Sequence, residues 1–341
     1  MKRITYVITK PIIGGAQVWL KDQVDLLIDD YDISVITSSY GWLTDNINAR
    51  AKVYLVPAMS KRISLKAIFS LVKLISTEIK PDVVISSSAN AGFYARLVKI
   101  FYKHRSIYIS HGWSCIYNGG VFINIFIFVE RILSFLTDCI WCVSNEDSRK
   151  AREIIGCNPA KVFTLRNSVF PKKRHSYRSA ACLKLLFVGR LETPKRPDLL
   201  IEAVKNFPDI ELTIIGDGRL REQLSGNNNV EFLGEVESFD EFHCYDAFAL
   251  ISDSEGLPVS ALEAASSGIP LILSNVGGCN ELVSTIQPNG ILVLNNLDSI
   301  TSALFDLKDS YPAFYTAAQA EADKFCLLND KHLIIKIIEG V

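Results

Sequence analysis

The sequence predicts an α/β protein made of doubly wound parallel sheets in two domains. Three observations carry this. Short apolar runs alternate with longer helical stretches along the chain, the order of strands and crossover helices. The clearest of these runs, 246–252, is apolar nearly throughout, as in strands buried on both faces. The alternation breaks at residues 165–177, where Pro171-Lys172-Lys173-Arg174-His175 is polar, basic and interrupted by Pro, the composition of a linker. A chain of 341 residues suits two domains.

The first strand is predicted at 3–9, followed by Gly14-Gly15 and a helix over 16–28. A glycine pair between first strand and first helix lets a ligand approach the backbone and the free N–H groups of the helix end. It is not the GxGxxG dinucleotide pattern. Asp30-Tyr31-Asp32 is a DxD, but it precedes the second strand (33–37), away from the strand carboxyl ends, and reads as a turn. Further strands are predicted at 52–57, 82–87, 105–110 and 138–144, with helices at 65–78 and 91–103. Ligands of such sheets gather at strand carboxyl ends. His111, directly after the 105–110 strand, is therefore a candidate contact, with a structural strand-loop role as its rival.

The second half repeats the style. Strand 183–188 ends in Gly189-Arg190, with Lys195 five residues on; an Arg fork and a Lys point charge there could neutralise a diphosphate. Helix 198–206 and strands 210–215 and 230–233 follow. Strand 246–252 then leads into Glu255-Gly256-Leu257-Pro258, with Pro258 expected at the first position of a helix running to Gly268. Glu255 falls in that loop and Glu263 about a turn and a half into the helix. The helix end offers N–H groups to a phosphate, and the two acids suit sugar hydroxyls. Strand 270–274 leads to Gly277-Gly278, and two terminal helices cover 312–325 and 329–339. Leu333, Ile334, Ile337 and Ile338 form an apolar stripe that needs burial.

Composition narrows the class. The chain is 49% hydrophobic and 21% charged, as in a globular protein with large buried sheets. Residues 1–170 carry 21 Lys and Arg against 13 Asp and Glu, whereas 171–341 carry 15 against 24. The basic half suits an anionic membrane face or a phosphorylated acceptor. Eight cysteines show no framework and no secretory signal precedes them, so they are expected to be reduced thiols of a cytoplasmic protein. Cys139-Ile140-Trp141-Cys142 lies within a strand, which sends its thiols to opposite faces and argues against redox or zinc use. Residues 107–129 lack Asp, Glu, Lys and Arg, yet Ser110-His111-Gly112 and Asn118-Gly119-Gly120 break them into strand, loop and helix. The helix over 121–136 is apolar nearly all round. It is expected to pack in the core, with a lipid surface as the alternative.

Taken together these segments resemble the retaining glycosyltransferases of family 4. Glu255 and Glu263 match the E-x7-E signature. Phe187-Val188-Gly189-Arg190-Leu191 with Lys195-Arg196-Pro197, Ile214-Ile215-Gly216-Asp217-Gly218, Val230-Glu231-Phe232-Leu233-Gly234 and Ser274-Asn275-Val276-Gly277-Gly278-Cys279-Asn280-Glu281 support it, as does Gly14-Gly15-Ala16. Pro197 stands where the family often has Gly, and the aromatic residue common near the start of the tail is missing. The resemblance implies a GT-B fold of two facing Rossmann-like domains: an acceptor domain at 1–170, a nucleotide-sugar domain at 171–327, and a last helix at about 328–341 returning to the first. It implies that Arg190 and Lys195, beside Gly189, hold the donor diphosphate. Glu263 would bond the ribose and Glu255 the sugar, with the Gly256-Leu257-Pro258 backbone alongside. Gly14 and Gly15 would face the diphosphate, and His111 the sugar.

The expected reaction passes a sugar from a nucleotide, most simply a UDP-sugar, to an acceptor hydroxyl with retention, without cofactor or metal. The departing phosphate oxygen takes the acceptor's proton. Relatives of this size build bacterial surface polysaccharides such as O-antigen or capsule. A glycan acceptor linked to undecaprenyl diphosphate is therefore expected, at the inner face of the cell membrane and with no nucleic-acid partner. Three rivals stay open: a hydrolase using Glu255 and Glu263 as acid and base, a sugar-nucleotide epimerase on the same fold, and a non-catalytic scaffold of a polysaccharide-assembly complex.

Overall fold

The computed structural model describes all residues except 118–119, 178–181 and 225–227. The chain forms two compact units: Met1–Arg166 with Leu328–Val341, and Asn167–Leu327. Each is organised around one parallel sheet.

The first unit has seven strands: β1 Arg3–Val7, β2 Asp32–Thr37, β3 Lys52–Leu55, β4 Val83–Ser87, β5 Arg105–Ser110, β6 Cys139–Cys142 and β7 Val162–Thr164. Their spatial order is β3-β2-β1-β4-β5-β6-β7. Winding therefore reverses between β1 and β4, the switch point at which such sheets open a crevice above their carboxyl ends. Strands β4 and β6 are buried along their whole length, and their sequences carry no charged residue. Cys139 and Cys142 lie inside β6, where burial pushes the Cys139 thiol up to about 12 and Cys142 higher still, so neither is reactive. The DxD carboxylates are engaged in ion pairs, Asp30 with Lys331 and Asp32 with Lys52.

The second unit has six strands: β8 Leu183–Val188, β9 Ile210–Ile215, β10 Val230–Gly234, β11 Ala247–Leu250, β12 Leu271–Ser274 and β13 Gly290–Val293. The order is β10-β9-β8-β11-β12-β13, which puts the switch point between β8 and β11. Strand β13, strand β7 and the Leu297–Asp309 helix were not singled out from the sequence. The helix carried two signals, Ile300, Ala303, Leu304 and Leu307 at helical spacing and Asn296 at its start, whose side chain accepts from the Ser299 N–H.

Three expectations are corrected. The Ile123–Phe135 helix buries only one face: Glu130, Leu133 and Ser134 face inward and Phe126 and Ile127 pack partly against the core, while Ile125, Phe128, Ile132 and Phe135 are exposed. Glu130 meets the fully buried Arg96 at 2.8 Å, and the Arg96 guanidinium lies 4.1 Å from the Tyr108 ring centroid. A charged residue thus helps anchor the inner face, and the apolar residues of the outer face are left exposed. Pro258 is not the first helical residue but the extended one before it, with the helix running Val259–Ser266. In the terminal Leu327–Glu339 helix, Ile334 and Ile338 are buried but Leu333 is 47% exposed. Two residues of the predicted break, Asn118 and Gly119, lie outside the described residues.

Candidate active site

In the second unit the candidate residues converge on the switch point between β8 and β11. After β8 the chain is tied to the loop after β9: Gly189 N–H donates to Ile215 O (3.0 Å) and Leu191 N–H to Asp217 O (2.9 Å). Gly216 makes this possible. Its φ is +134°, and a Cβ there would lie 2.0 Å from the Gly189 carbonyl oxygen. The segment around Lys195 then lies beside the end of β11. Arg196 N–H donates to Ile251 O (2.8 Å), Asp253 N–H donates to Pro194 O (2.8 Å), and Lys195 and Ser252 form an antiparallel bridge.

This scaffold delivers the Lys195 ammonium to the Glu255 carboxylate, with both side chains largely buried. Glu255 is itself held from the opposite side. Gly277, with φ +55°, packs against it so closely that a Cβ would sit 1.8 Å from the Glu255 carbonyl oxygen. Gly278 N–H donates to Gly256 O at 2.7 Å. The Gly277-Gly278 pair, noticed in the sequence only as a matching motif, serves as a clamp on the acid-bearing loop. Leu257 and Pro258 are buried beside it. Pro258 gives the following helix no side-chain cap, so the amides of its first turn are left for another acceptor.

Arg190 is not gathered to this pair. It is 57% exposed, and its Nη1 meets Glu192 Oε1 at 2.6 Å. Glu263 lies in the second turn of the Val259–Ser266 helix and pairs with Lys172 (Nζ to Oε1, 3.0 Å), a partner that sequence reasoning missed. Burial raises the Glu263 carboxyl above its ordinary range, opposed by Lys172.

The first unit holds a second group. Gly14 is extended, at φ 171°, so its conformation is open to any residue. Its carbonyl accepts from Gln17 and Val18 N–H, and Gln17 Nε2 donates to Lys10 O at 2.7 Å, closing the loop onto the Gly15–Leu27 helix. Trp19 of that helix meets His111 edge to face, with centroids 5.1 Å apart. His111 Nε2 lies 2.9 Å from Ser87 Oγ at the end of β4. Loss of water drives the imidazole down to about 4. It is therefore neutral at pH 7 and works as a hydrogen-bonding group rather than a cation. Ser87 and Trp19 were not singled out from sequence; the Ser86-Ser87-Ser88 run at a strand end was the one available signal.

The arrangement offers a cation–acid pair, uncapped helix amides and a second, half-buried acid on the loop and helix that follow β11. Comparison with known proteins places the fold and the family. Residues 13–173 match the family model described as Glycosyltransferase Family 4, and 182–309 the one described as Glycosyl transferases group 1. The O-antigen biosynthesis glycosyltransferase WbnH of Escherichia coli is 44% identical over the full length of both chains. The UDP-Gal:alpha-D-GlcNAc-diphosphoundecaprenol alpha-1,3-galactosyltransferase of E. coli is 27% identical, over 90% of this chain and 88% of its own. Among solved structures, Anabaena Alr3699/HepE in complex with UDP-glucose superposes with a TM-score of 0.84 at 16% identity, over all of both chains. WaaG, a glycosyltransferase involved in lipopolysaccharide biosynthesis, gives 0.74 at 16%, over 99% of this chain and 100% of its own. Fold and site together define the class as a GT-B glycosyltransferase. Full-length identity and the matched domains go further: the chain belongs to glycosyltransferase family 4.

Proposed function

We propose that the protein is a retaining, metal-independent glycosyltransferase that moves a sugar from a UDP-sugar to a hydroxyl of a lipid-linked glycan during O-antigen assembly. The observation that carries this reading is the Lys195–Glu255 pair at the β8/β11 switch point, beside uncapped helix amides. Lys195 and the amides meet the diphosphate, and Glu255 accepts from donor-sugar hydroxyls. Glu263 accepts from the ribose. Arg190, solvent-facing in the free protein, turns from Glu192 to the diphosphate when donor binds. Gly14 and Gly15 meet the diphosphate, and His111 meets the sugar as a neutral hydrogen-bonding group. As the glycosidic bond lengthens, charge gathers on the leaving diphosphate, where a preorganised cation and amides stabilise it. The leaving oxygen then accepts the acceptor's proton on the same face, so no side-chain nucleophile is required.

The donor assignment draws on HepE, solved with UDP-glucose, and on the UDP-Gal-dependent E. coli relative. The acceptor and pathway draw on that relative's diphosphoundecaprenol substrate and on the O-antigen role named for WbnH. Among the described residues no helix is long and apolar enough to cross a membrane. The outward face of Ile123–Phe135, in the half with the basic excess, suits shallow contact with an anionic bilayer at the inner face of the cell membrane. One assay tests the whole reading. Radiolabelled UDP-sugars are offered with a sugar-diphosphoundecaprenol mimic in anionic vesicles, with and without EDTA. One donor should give a lipid-linked product with retained anomeric configuration, indifferent to EDTA and falling as salt is raised. Free sugar alone, an epimerised nucleotide alone, or no turnover with any donor would remove the proposal.

A further inference from the structure

Lys172 belongs to the segment entering the second unit, and both its ends are fastened to the helix that bears Glu263. Its backbone N–H donates to Ser266 Oγ at 3.1 Å. Its ammonium stands between two acids, 3.0 Å from Glu263 Oε1 and 2.7 Å from Asp240 Oδ1. Lys172 and Glu263 are 17% and 16% exposed at the side chain, whereas Asp240 is 67% exposed. Asn167, earlier in the same segment, donates from Nδ2 to Leu257 O (3.4 Å) in the loop that carries Glu255. The segment is thus laid along the E-x7-E element and places one cation on its inner acid. Glu263 is the only titratable side chain of its helix, and the charged groups facing it from elsewhere are Lys172 and Asp240.

We propose that Lys172 is a positioning residue for the nucleoside end of the donor site, holding Glu263 as an aimed carboxylate that accepts from the two ribose hydroxyls. This rests on the reading of Glu263 as the ribose acceptor. A carboxylate has about four lone-pair directions, so one ammonium on Oε1 leaves capacity for a vicinal diol. Bonds accepted by a charged carboxylate are roughly twice as strong as those of a neutral acid. The sign of each perturbation follows from the charges. Burial favours the protonated acid; Lys172 opposes this and Asp240 adds to it. Removing Lys172 moves Glu263 protonation toward neutral pH, and removing Asp240 moves it down.

The test is calorimetric binding of UDP from pH 8 to pH 5, each profile divided by the wild type's so that titration of UDP itself cancels. Lys172→Met should lose about tenfold in relative affinity between pH 8 and 6, the scale of one unit of unfavourable protonation. Lys172→Arg should restore a flat ratio. Asp240→Asn, at an exposed position that leaves folding intact, should gain affinity relative to wild type toward pH 5. Glu263→Gln should be weak, with no sensitivity to removal of the ribose hydroxyls when 2′,3′-dideoxy-UDP replaces UDP. Constant ratios for Lys172→Met and Asp240→Asn alongside a weak Glu263→Gln would overturn the role of Lys172 and leave the ribose reading intact. Wild-type-like binding by Glu263→Gln would remove both. If Lys172→Met does not fold, the direction of the Asp240→Asn ratio decides.

Discussion

Lys195 and Glu255 are held largely out of water, with side chains 17% and 10% exposed. A buried cation kept beside one acid is poised to shift its field toward a more highly charged group, and a diphosphate is such a group. Lys195→Ala is expected to slow sugar transfer at saturating donor by about a hundredfold or more, the scale of losing one preorganised donor. Single-turnover kinetics measures this, with a denaturation curve alongside because an unpaired Glu255 destabilises the fold. Undiminished transfer would end the assignment. Both residues were legible in the sequence, since each follows a buried strand at a fixed short spacing. Lys172 and Ser87 were not. Their partners, Glu263 and His111, lie far along the chain, and periodicity carries no information about which distant groups meet. Arg190 shows the converse: its position was legible, its exposed pairing with Glu192 was not.

Among elements, the short helix after Glu255 and the Gly277-Gly278 turn work as one piece. The turn fits against the acid loop because Gly277 lacks a Cβ and adopts a left-handed φ. Gly277→Ala should therefore displace Glu255, raise the donor KM and lower kcat, and cost about 1–3 kcal/mol of stability. Gly234→Ala is the comparison. Its φ is also positive, +71°, but nothing lies within 4 Å of an added Cβ, so it should cost only the backbone strain of about 1–2 kcal/mol and leave kinetics unchanged. Equal kinetic effects of the two variants would refute the clamp. The Ile123–Phe135 helix marks the limit of pattern reading. An all-round apolar sequence is compatible with burial or with a lipid face. The buried Arg96–Glu130 pair fixes which face turns inward, with Leu133 and Ser134 beside it, and leaves Ile125, Phe128, Ile132 and Phe135 outside.

At the scale of the whole molecule, the same winding occurs twice, and each sheet sets its candidate residues at a reversal of strand order. The chain's last helix groups with the first unit. Ile334 and Ile338 are buried there, Glu339 accepts from Tyr31 and pairs with Lys2, and Arg105 donates to Ile337 O at 2.9 Å. Truncation after Leu327 should remove several kcal/mol from the first unit, since each large buried aliphatic contributes about 2–5 kcal/mol. Hydrogen exchange should then show β1 and β2 losing protection while β8 and β9 keep theirs. Equal loss in both sheets would contradict this.

The sequence by itself determined the α/β class, most of the strands and the positions of Lys195, Glu255 and Glu263 after strands of the second unit, because buried parallel strands demand mostly apolar runs and the turns after them carry particular residues at short spacing. Tertiary structure alone decided the strand order that creates the two switch points, the contacts of Lys172, Ser87 and Gly277, and which face of the Ile123–Phe135 helix meets solvent. Those outcomes depend on side chains brought together across long stretches of chain. Their energies are set by packing and by burial of charge, and neither is written in local pattern.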